Sequence, residues 1–137
     1  MEVTMKWFDK KRDLTTDDLV VVETTFGINL PEDYKEKVKT INGGALPSAY
    51  IIVGQLGEIS YSRNIPLDKK TRANIFEIGK YVLKDDKRFF PVAEDGFGNY
   101  FCLDLKENIV VFMNHETDKT IYICKTFTDL LKMIIVN

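Results

Sequence analysis

The segment Asp95-Gly96-Phe97-Gly98-Asn99 combines side-chain oxygens with glycines, as loops that bind phosphates or calcium do. A dinucleotide-binding loop needs a third glycine and a helix directly after it, and a P-loop needs a lysine, but neither pattern follows. In a calcium loop, Phe97 would stand where an oxygen ligand is required. We therefore interpret the segment as a turn in which Gly96 and Gly98 have positive φ and in which Asp95 and Asn99 bond to the local backbone.

The other side chains with catalytic or metal-binding chemistry are His115, Cys102 and Cys124. A zinc-protease motif needs a second histidine four residues later, but residue 119 is lysine, and too few His and Cys residues remain for another zinc site. Cys102 and His115 form a nucleophile and base only if the fold brings them together, which nothing in the sequence indicates. We expect a solvated turn histidine and two buried, unpaired thiols, with no catalytic residue, metal or cofactor.

Acidic side chains are frequent at the predicted strand ends and turns of the second half of the chain. An ordinary solvated surface explains this distribution. The functional alternative is a docking face for a basic partner, because complementary charge steers association. The candidate partner-binding residues are Glu94, Asp95, Asn99, Asp104, Glu107, Glu116 and Asp118.

Helical signals occur at four places along the chain. Thr15 predicts a capped helix start, and a second helix begins at Pro31 and is stopped by the turn glycines Gly43 and Gly44. These two helices, joined by a short connection, predict a helical hairpin. The range 75–82 has helical apolar spacing, which a central glycine weakens, and a last capped helix has an apolar face that extends through Ile135.

The strand signals favour an antiparallel sheet. Tyr50–Gly54 and Glu58–Ile65 are predicted strands, Phe89–Met113 is predicted to form a meander, and Thr120–Cys124 alternates between apolar and polar residues. We expect an α+β fold in which a largely antiparallel β-sheet packs against helices. Its parts are an N-terminal helical hairpin, a β-meander and a C-terminal helix, all in a single domain that spans 1–137.

The bulk properties exclude several functional classes. A chain of 137 residues with 45% hydrophobic and 12% aromatic residues is typical of one globular domain, and we expect Trp7 and Phe8 to be buried in it. A formal charge of −2 with scattered Lys and Arg does not favour nucleic-acid binding. The chain has no apolar run of the roughly 20 residues that a membrane helix needs. It also has no signal-peptide pattern, so we expect a cytoplasmic protein.

Several segments together resemble the SUKH superfamily, the fold of many bacterial immunity proteins and of the fungal Smi/Knr cell-wall regulators. They occur in the family's order and span nearly the whole chain. The segments that carry the resemblance are Phe26-Gly27, Leu30–Lys35, Ile41–Gly44, Phe90–Tyr100, Leu103–Leu105 and Thr126–Lys132.

The resemblance implies a non-enzymatic α+β domain that binds proteins. Bacterial members of this kind are typically encoded beside secreted polymorphic or contact-dependent toxins, often nucleases, and neutralise the toxin by binding it. For this chain the resemblance implies an immunity protein, or antitoxin, whose partner is a basic, nuclease-like toxin, with no direct nucleic-acid or membrane binding. The family-level positions that it carries over are Asp95, Gly96, Gly98, Asn99 and Asp104, in an architectural more than a contacting role.

Two other functional classes stay open from the sequence. One is a regulatory or scaffold interaction domain like the fungal cell-wall-synthesis regulators. The other is a small hydrolase or ligand-binding enzyme, which would need convergent titratable groups that the sequence does not indicate.

Overall fold

The structure is a computed structural model that describes residues 5–137, and over this range the chain forms four α-helices and a seven-stranded antiparallel sheet. The helices are α1 (Thr16–Phe26), α2 (Glu32–Val38), α3 (Ile75–Val82) and α4 (Phe127–Met133). The strands are β1 (Ala45–Val53), β2 (Gly57–Asn64), β3 (Phe89–Glu94), β4 (Tyr100–Asp104), β5 (Ile109–Met113), β6 (Thr120–Cys124) and β7 (Ile135–Val136). Their order across the sheet is β6-β5-β4-β3-β2-β1-β7, which confirms the predicted α+β class and the β-meander.

The N-terminal helical hairpin is present as predicted. Asp18 N donates to Thr15 Oγ1 at 3.2 Å and Thr15 N donates to Asp18 Oδ2 at 2.7 Å, so both halves of a capping box open α1. The start of α2 is tied to α1 because Leu30 N donates to the carboxylate of Glu23 at 2.8 Å. Local capping therefore begins the first helix, and a side chain from that helix positions the second.

Aromatic side chains join the helices to the meander. The ring of Tyr34 on α2 lies edge-on to Phe127 on α4 at 4.9 Å and to Phe90 on β3 at 5.8 Å. On the neighbouring strands, the cross-strand partners Phe101 and Phe112 have ring centroids 5.0 Å apart. All five side chains are buried, and pairs of this kind stabilise a core beyond the area that they bury.

Helix α3 forms where the sequence predicts it, and the contact at Gly79 explains the glycine there. A Cβ at this position would lie 2.5 Å from Cζ of Phe26, so only glycine lets the α1 ring approach the α3 backbone so closely. Phe26 also stacks on Phe76 at 6.1 Å. The residue that weakens the helix prediction is thus the point where α1 and α3 pack together.

The predicted extent of the last helix is wrong. Helix α4 ends at Met133, and Ile135–Val136 form strand β7, in which Ile135 pairs with Tyr50 and Val136 pairs with Ala49. β-Branched residues favour the extended conformation, and the free edge of β1 supplies the hydrogen-bonding partners for it. Tertiary pairing therefore decides the conformation of this segment.

Two expectations for the first part of the chain also need correction. Phe8 is 46% exposed, because its backbone bridges Ala45 while its side chain points outward. Trp7 is half-buried, and its ring centroid lies 6.1 Å from that of Tyr61. Strand β1 begins at Ala45 and not at Tyr50, since a bulge accommodates the intervening residues.

Candidate partner-binding site

The turn at 95–99 is built on one buried carboxylate. Asp95 Oδ1 accepts from the backbone N–H of Phe97 at 2.7 Å and of Asn99 at 3.1 Å, and Oδ2 accepts from the Asn99 side-chain amide at 2.8 Å. Gly96 and Gly98 have φ of +88° and +90°, a region that residues with a Cβ rarely adopt. The prediction for the glycines and Asp95 is confirmed. Asp95 is only 6% exposed, and both of its carboxylate oxygens accept hydrogen bonds within the turn.

The expectation that the Asn99 side chain bonds to the local backbone is wrong, because its nitrogen donates to the Asp95 carboxylate and its oxygen reaches a second turn. The Asn99 side-chain oxygen accepts from the His115 backbone N–H at 3.0 Å and lies 2.8 Å from His115 Nδ1. The imidazole also packs on Gly98, where a Cβ would lie 3.3 Å from its Cε1 atom. The β3–β4 turn and the β5–β6 turn are therefore joined, and the exposed His115 is bound by a neighbouring turn as well as solvated.

Asp104 is the most buried carboxylate among the ion pairs of the described residues. Its side chain is 3% exposed and accepts two bonds from Arg88, Nε to Oδ1 at 2.9 Å and Nη2 to Oδ2 at 2.8 Å. Oδ1 also accepts from the backbone N–H groups of Lys106 and Glu107. The Arg88 hydrogen bonds hold the pKa of Asp104 below its usual value. This carboxylate is directed at its own chain, in agreement with an architectural role.

The candidate acidic residues lie at two opposite ends of the meander. Strand β4 has five residues, so its first and last Cα atoms are about 13 Å apart at ~3.3 Å per residue. Asp104 and the exposed Glu107 lie at the end where β4 turns into β5. The 95–99 turn lies at the other end together with Glu116 and Asp118, both of which are exposed. The acids therefore do not form one continuous face.

Glu94 lies at the same end as the 95–99 turn but is already paired. Its carboxylate is 3.0 Å from Arg63 Nε, across the short β2–β3 pairing. The side chains of Glu94 and Arg63 are 25% and 22% exposed. Local neutralisation by Arg63 leaves Glu116 and Asp118 as the exposed candidate acids at this end.

A solvent-open cleft of about 580 Å³ lies between helix α3 and this end of the meander, and we call it the α3 cleft. Its apolar lining includes Ile78, Val82, Tyr100 and Met113. Its acidic lining residues are Glu77 and Asp118, His115 also lines it, and none of the described residues that line it is Lys or Arg. The remaining lining residues are Ala73, Tyr81 and Gly98.

Two aromatic side chains, one in the lining of the cleft and one in the turn that borders it, are unusually exposed. Tyr81 on α3 is 84% exposed, and Phe97 at the tip of the 95–99 turn is 74% exposed. Neither residue was predicted from the sequence to contact a partner. A signal for Phe97 was present, because an aromatic residue between two turn glycines has no neighbours with which to form a core. Tyr81 carried no such signal, since a tyrosine in an amphipathic helix is usually packed.

The thiols are placed for packing. Cys102 and Cys124 are buried and unpaired, as predicted. Burial raises the pKa of Cys124 to about 12 and also raises the pKa of Cys102 far above its usual value. Both sulfurs therefore stay protonated near neutral pH, and protonated thiols are poor nucleophiles. Among residues 5–137, no group of three or more His, Cys, Asp or Glu side chains is placed to hold a metal ion.

A smaller cavity of about 180 Å³ lies at the opposite end of the meander, between α2, the β4–β5 turn and the start of α4. Its two carboxylates are engaged within the chain: Asp104 binds Arg88, and Asp33 accepts hydrogen bonds from the Thr128 backbone, at 2.9 Å, and from the Thr128 hydroxyl. With these acids occupied, the α3 cleft is the stronger candidate for binding.

A family model described as SMI1-KNR4 cell-wall, of the SUKH type, matches residues 16–131. The match runs from the first residue of α1 into α4 and contains the whole α3 cleft. The chain belongs to the SUKH superfamily. SUKH domains generally act in protein–protein interactions and are generally non-enzymatic. No curated protein is significantly similar to this SUKH protein. None of its described helices is long and apolar enough to cross a membrane.

Proposed function

We propose that this SUKH protein is an immunity protein, which binds a toxin encoded beside it and neutralises that toxin inside the producing cell. The observation that carries the proposal is the α3 cleft, an apolar groove with acidic edges and exposed aromatic side chains, in a chain of a superfamily that binds proteins. A nuclease toxin must itself be basic to hold phosphates, so its surface complements these edges. In this proposal the whole chain acts as one SUKH domain in the cytoplasm.

The chemistry of the described residues supports inhibition by binding. The thiols are buried, the single imidazole is held by Asn99, and the carboxylates of Asp95 and Asp104 are engaged within the fold. The exposed side chains at the α3 cleft and its bordering turns include Tyr81, Phe97 and Asp118, and these are available to a partner. Such a surface can occlude a toxin active site without any covalent step.

Expression of the neighbouring toxin gene in a sensitive host tests the proposal. Co-expression of this protein should restore growth, and an active-site variant of the toxin should co-purify with it at nanomolar affinity. Unrelated toxins of similar charge serve as controls for specificity. Continued growth arrest together with no complex would show that this protein does not confer immunity to that toxin.

A second candidate function is that of a regulatory interaction domain like the fungal cell-wall-synthesis regulators. The description of the matching family model, SMI1-KNR4 cell-wall, favours it. Cross-linking in cells followed by affinity purification separates the two functions. Several cellular partners and no protection against the toxin would favour the regulatory function, whereas one toxin partner and restored growth would favour immunity.

A further inference from the structure

We propose that the α3 cleft holds a basic segment of the toxin, in which a lysine or arginine stem lies on the apolar floor and its charged end reaches the acidic edge. This inference rests on the proposed immunity function and adds to it the surface and the partner segment. The floor carries four half-buried apolar or aromatic side chains, those of Ile78, Val82, Tyr100 and Met113. The methylene stem of a long cation covers such surface while its charge stays outside.

The acidic edge comes from two separate elements. Glu77 belongs to α3, and Asp118 belongs to the β5–β6 turn. The nearby cation Arg63 does not neutralise this edge, because its guanidinium is bound to Glu94 at 3.0 Å and to the Ala73 carbonyl at 3.0 Å. The charge of the cleft therefore favours a cationic occupant over an anionic or purely apolar one.

The exposed rings of Tyr81 and Phe97 supply the contacts expected to hold such a segment. Aromatic residues dominate the binding energy of many interfaces, and a cation gains energy over an aromatic face. The bonds of Asn99 to His115 join the two turns that border the cleft. Because this border is held before binding, less conformational entropy is lost when a partner docks.

Binding kinetics with an active-site variant of the neighbouring toxin test the aromatic contacts. The double variant Tyr81→Ala/Phe97→Ala should bind ~10- to 100-fold more weakly, mainly through faster dissociation. The matched control is Val20→Ala/Leu56→Ala, which truncates two side chains that are 50% and 52% exposed and that belong neither to the cleft lining nor to the turns that border it. All four side chains are exposed, so the variants should fold, and equal urea midpoints check this.

The charge contribution is tested with a second matched pair. Glu77→Gln/Asp118→Asn should slow association several-fold and flatten its dependence on salt, because steering acts on the encounter rate. Asparagine suits position 118, where φ is +55°. Asp17→Asn/Glu58→Gln removes the same charge from exposed positions outside the cleft and should change neither quantity.

The outcomes separate this inference from the function on which it rests. If the wild-type protein binds the toxin and both cleft variants behave like their controls, the α3 cleft is not the binding surface, while the immunity function stands. If the wild-type protein neither binds nor protects, the immunity function and the toxin segment proposed for the cleft are both wrong. Weaker binding confined to the cleft variants supports the inference.

Discussion

Replacement of Asp104 by asparagine is expected to lower the free energy of unfolding by about 2 kcal/mol at pH 7. The carboxylate receives two hydrogen bonds from Arg88 and two from backbone N–H groups. Asparagine is nearly isosteric, but its amide nitrogen is a donor and must face at least one of these donors. One charge-assisted bond is therefore replaced by a contact between two donors.

The magnitude follows from the exposure of the two partners. Removal of one member of a fully buried ion pair costs ~3–5 kcal/mol, and a hydrogen bond to a charged group is worth ~1.5–3 kcal/mol. The Asp104 side chain is 3% exposed, but that of Arg88 is 34% exposed, so water can solvate the guanidinium after the change. This solvation reduces the expected cost to about 2 kcal/mol.

The contribution of Asp104 should also depend on pH, with a sign that follows from its pKa. Arg88 lowers the pKa of this carboxyl in the folded protein. The stabilisation is then complete above the pKa of the unfolded chain, ~4, and is lost as the pH falls through the lower folded value. The stability difference between the wild-type protein and Asp104→Asn should therefore be constant from pH 7 to pH 5 and shrink towards pH 3.

Urea unfolding followed by far-ultraviolet circular dichroism measures both effects. Glu107→Gln is the control, because it removes the same charge from an exposed neighbour and should cost less than ~0.5 kcal/mol. If Asp104→Asn lowers the free energy of unfolding by less than ~0.5 kcal/mol, or by an amount that stays constant down to pH 3, the role given to the ion pair is refuted. Folded Asp104→Asn should still bind the toxin normally, since its side chain faces its own chain.

Two further predictions concern buried polar atoms. The Tyr34 hydroxyl has no protein hydrogen-bond partner among residues 5–137, whereas the Tyr61 hydroxyl donates to Asn64. Tyr34→Phe should therefore raise the free energy of unfolding by up to ~1 kcal/mol, and Tyr61→Phe should lower it by ~1–2 kcal/mol. Urea midpoints that move in the same direction would contradict this reasoning. Cys102 and Cys124 should resist a disulfide reagent at pH 8 until urea unfolds the chain, and rapid labelling of the native protein would show that burial does not protect them.

Local signals explain how much of the fold could be predicted. The Thr15 and Thr126 caps, the positive-φ glycines of the 95–99 turn and the alternation of the strands depend on neighbours within a few residues. These features appear in the structure because short-range hydrogen bonds and side-chain periodicity determine them. The strand at Ile135 was missed for the converse reason: its conformation depends on β1, which is remote in the sequence.

The candidate site could be predicted only in part, because it joins segments that are far apart in the sequence. Asn99 was identified as a turn residue, but its bond to His115 spans 16 residues and exists only in the observed register of β4 and β5. Tyr81 and Phe97 are ordinary members of a helix and a turn until the fold leaves both exposed, Tyr81 in the lining of the cleft and Phe97 in the turn that borders it.

The sequence by itself determined the α+β class, the meander and membership of the SUKH superfamily, since these follow from local patterns along the chain. Only the tertiary structure decided which acidic residues are available to a partner. Asp95 and Asp104 are buried and bonded within the fold, whereas Glu77 and Asp118 are exposed and both line the α3 cleft. Burial and pairing depend on long-range strand register and helix packing, which residue type does not encode.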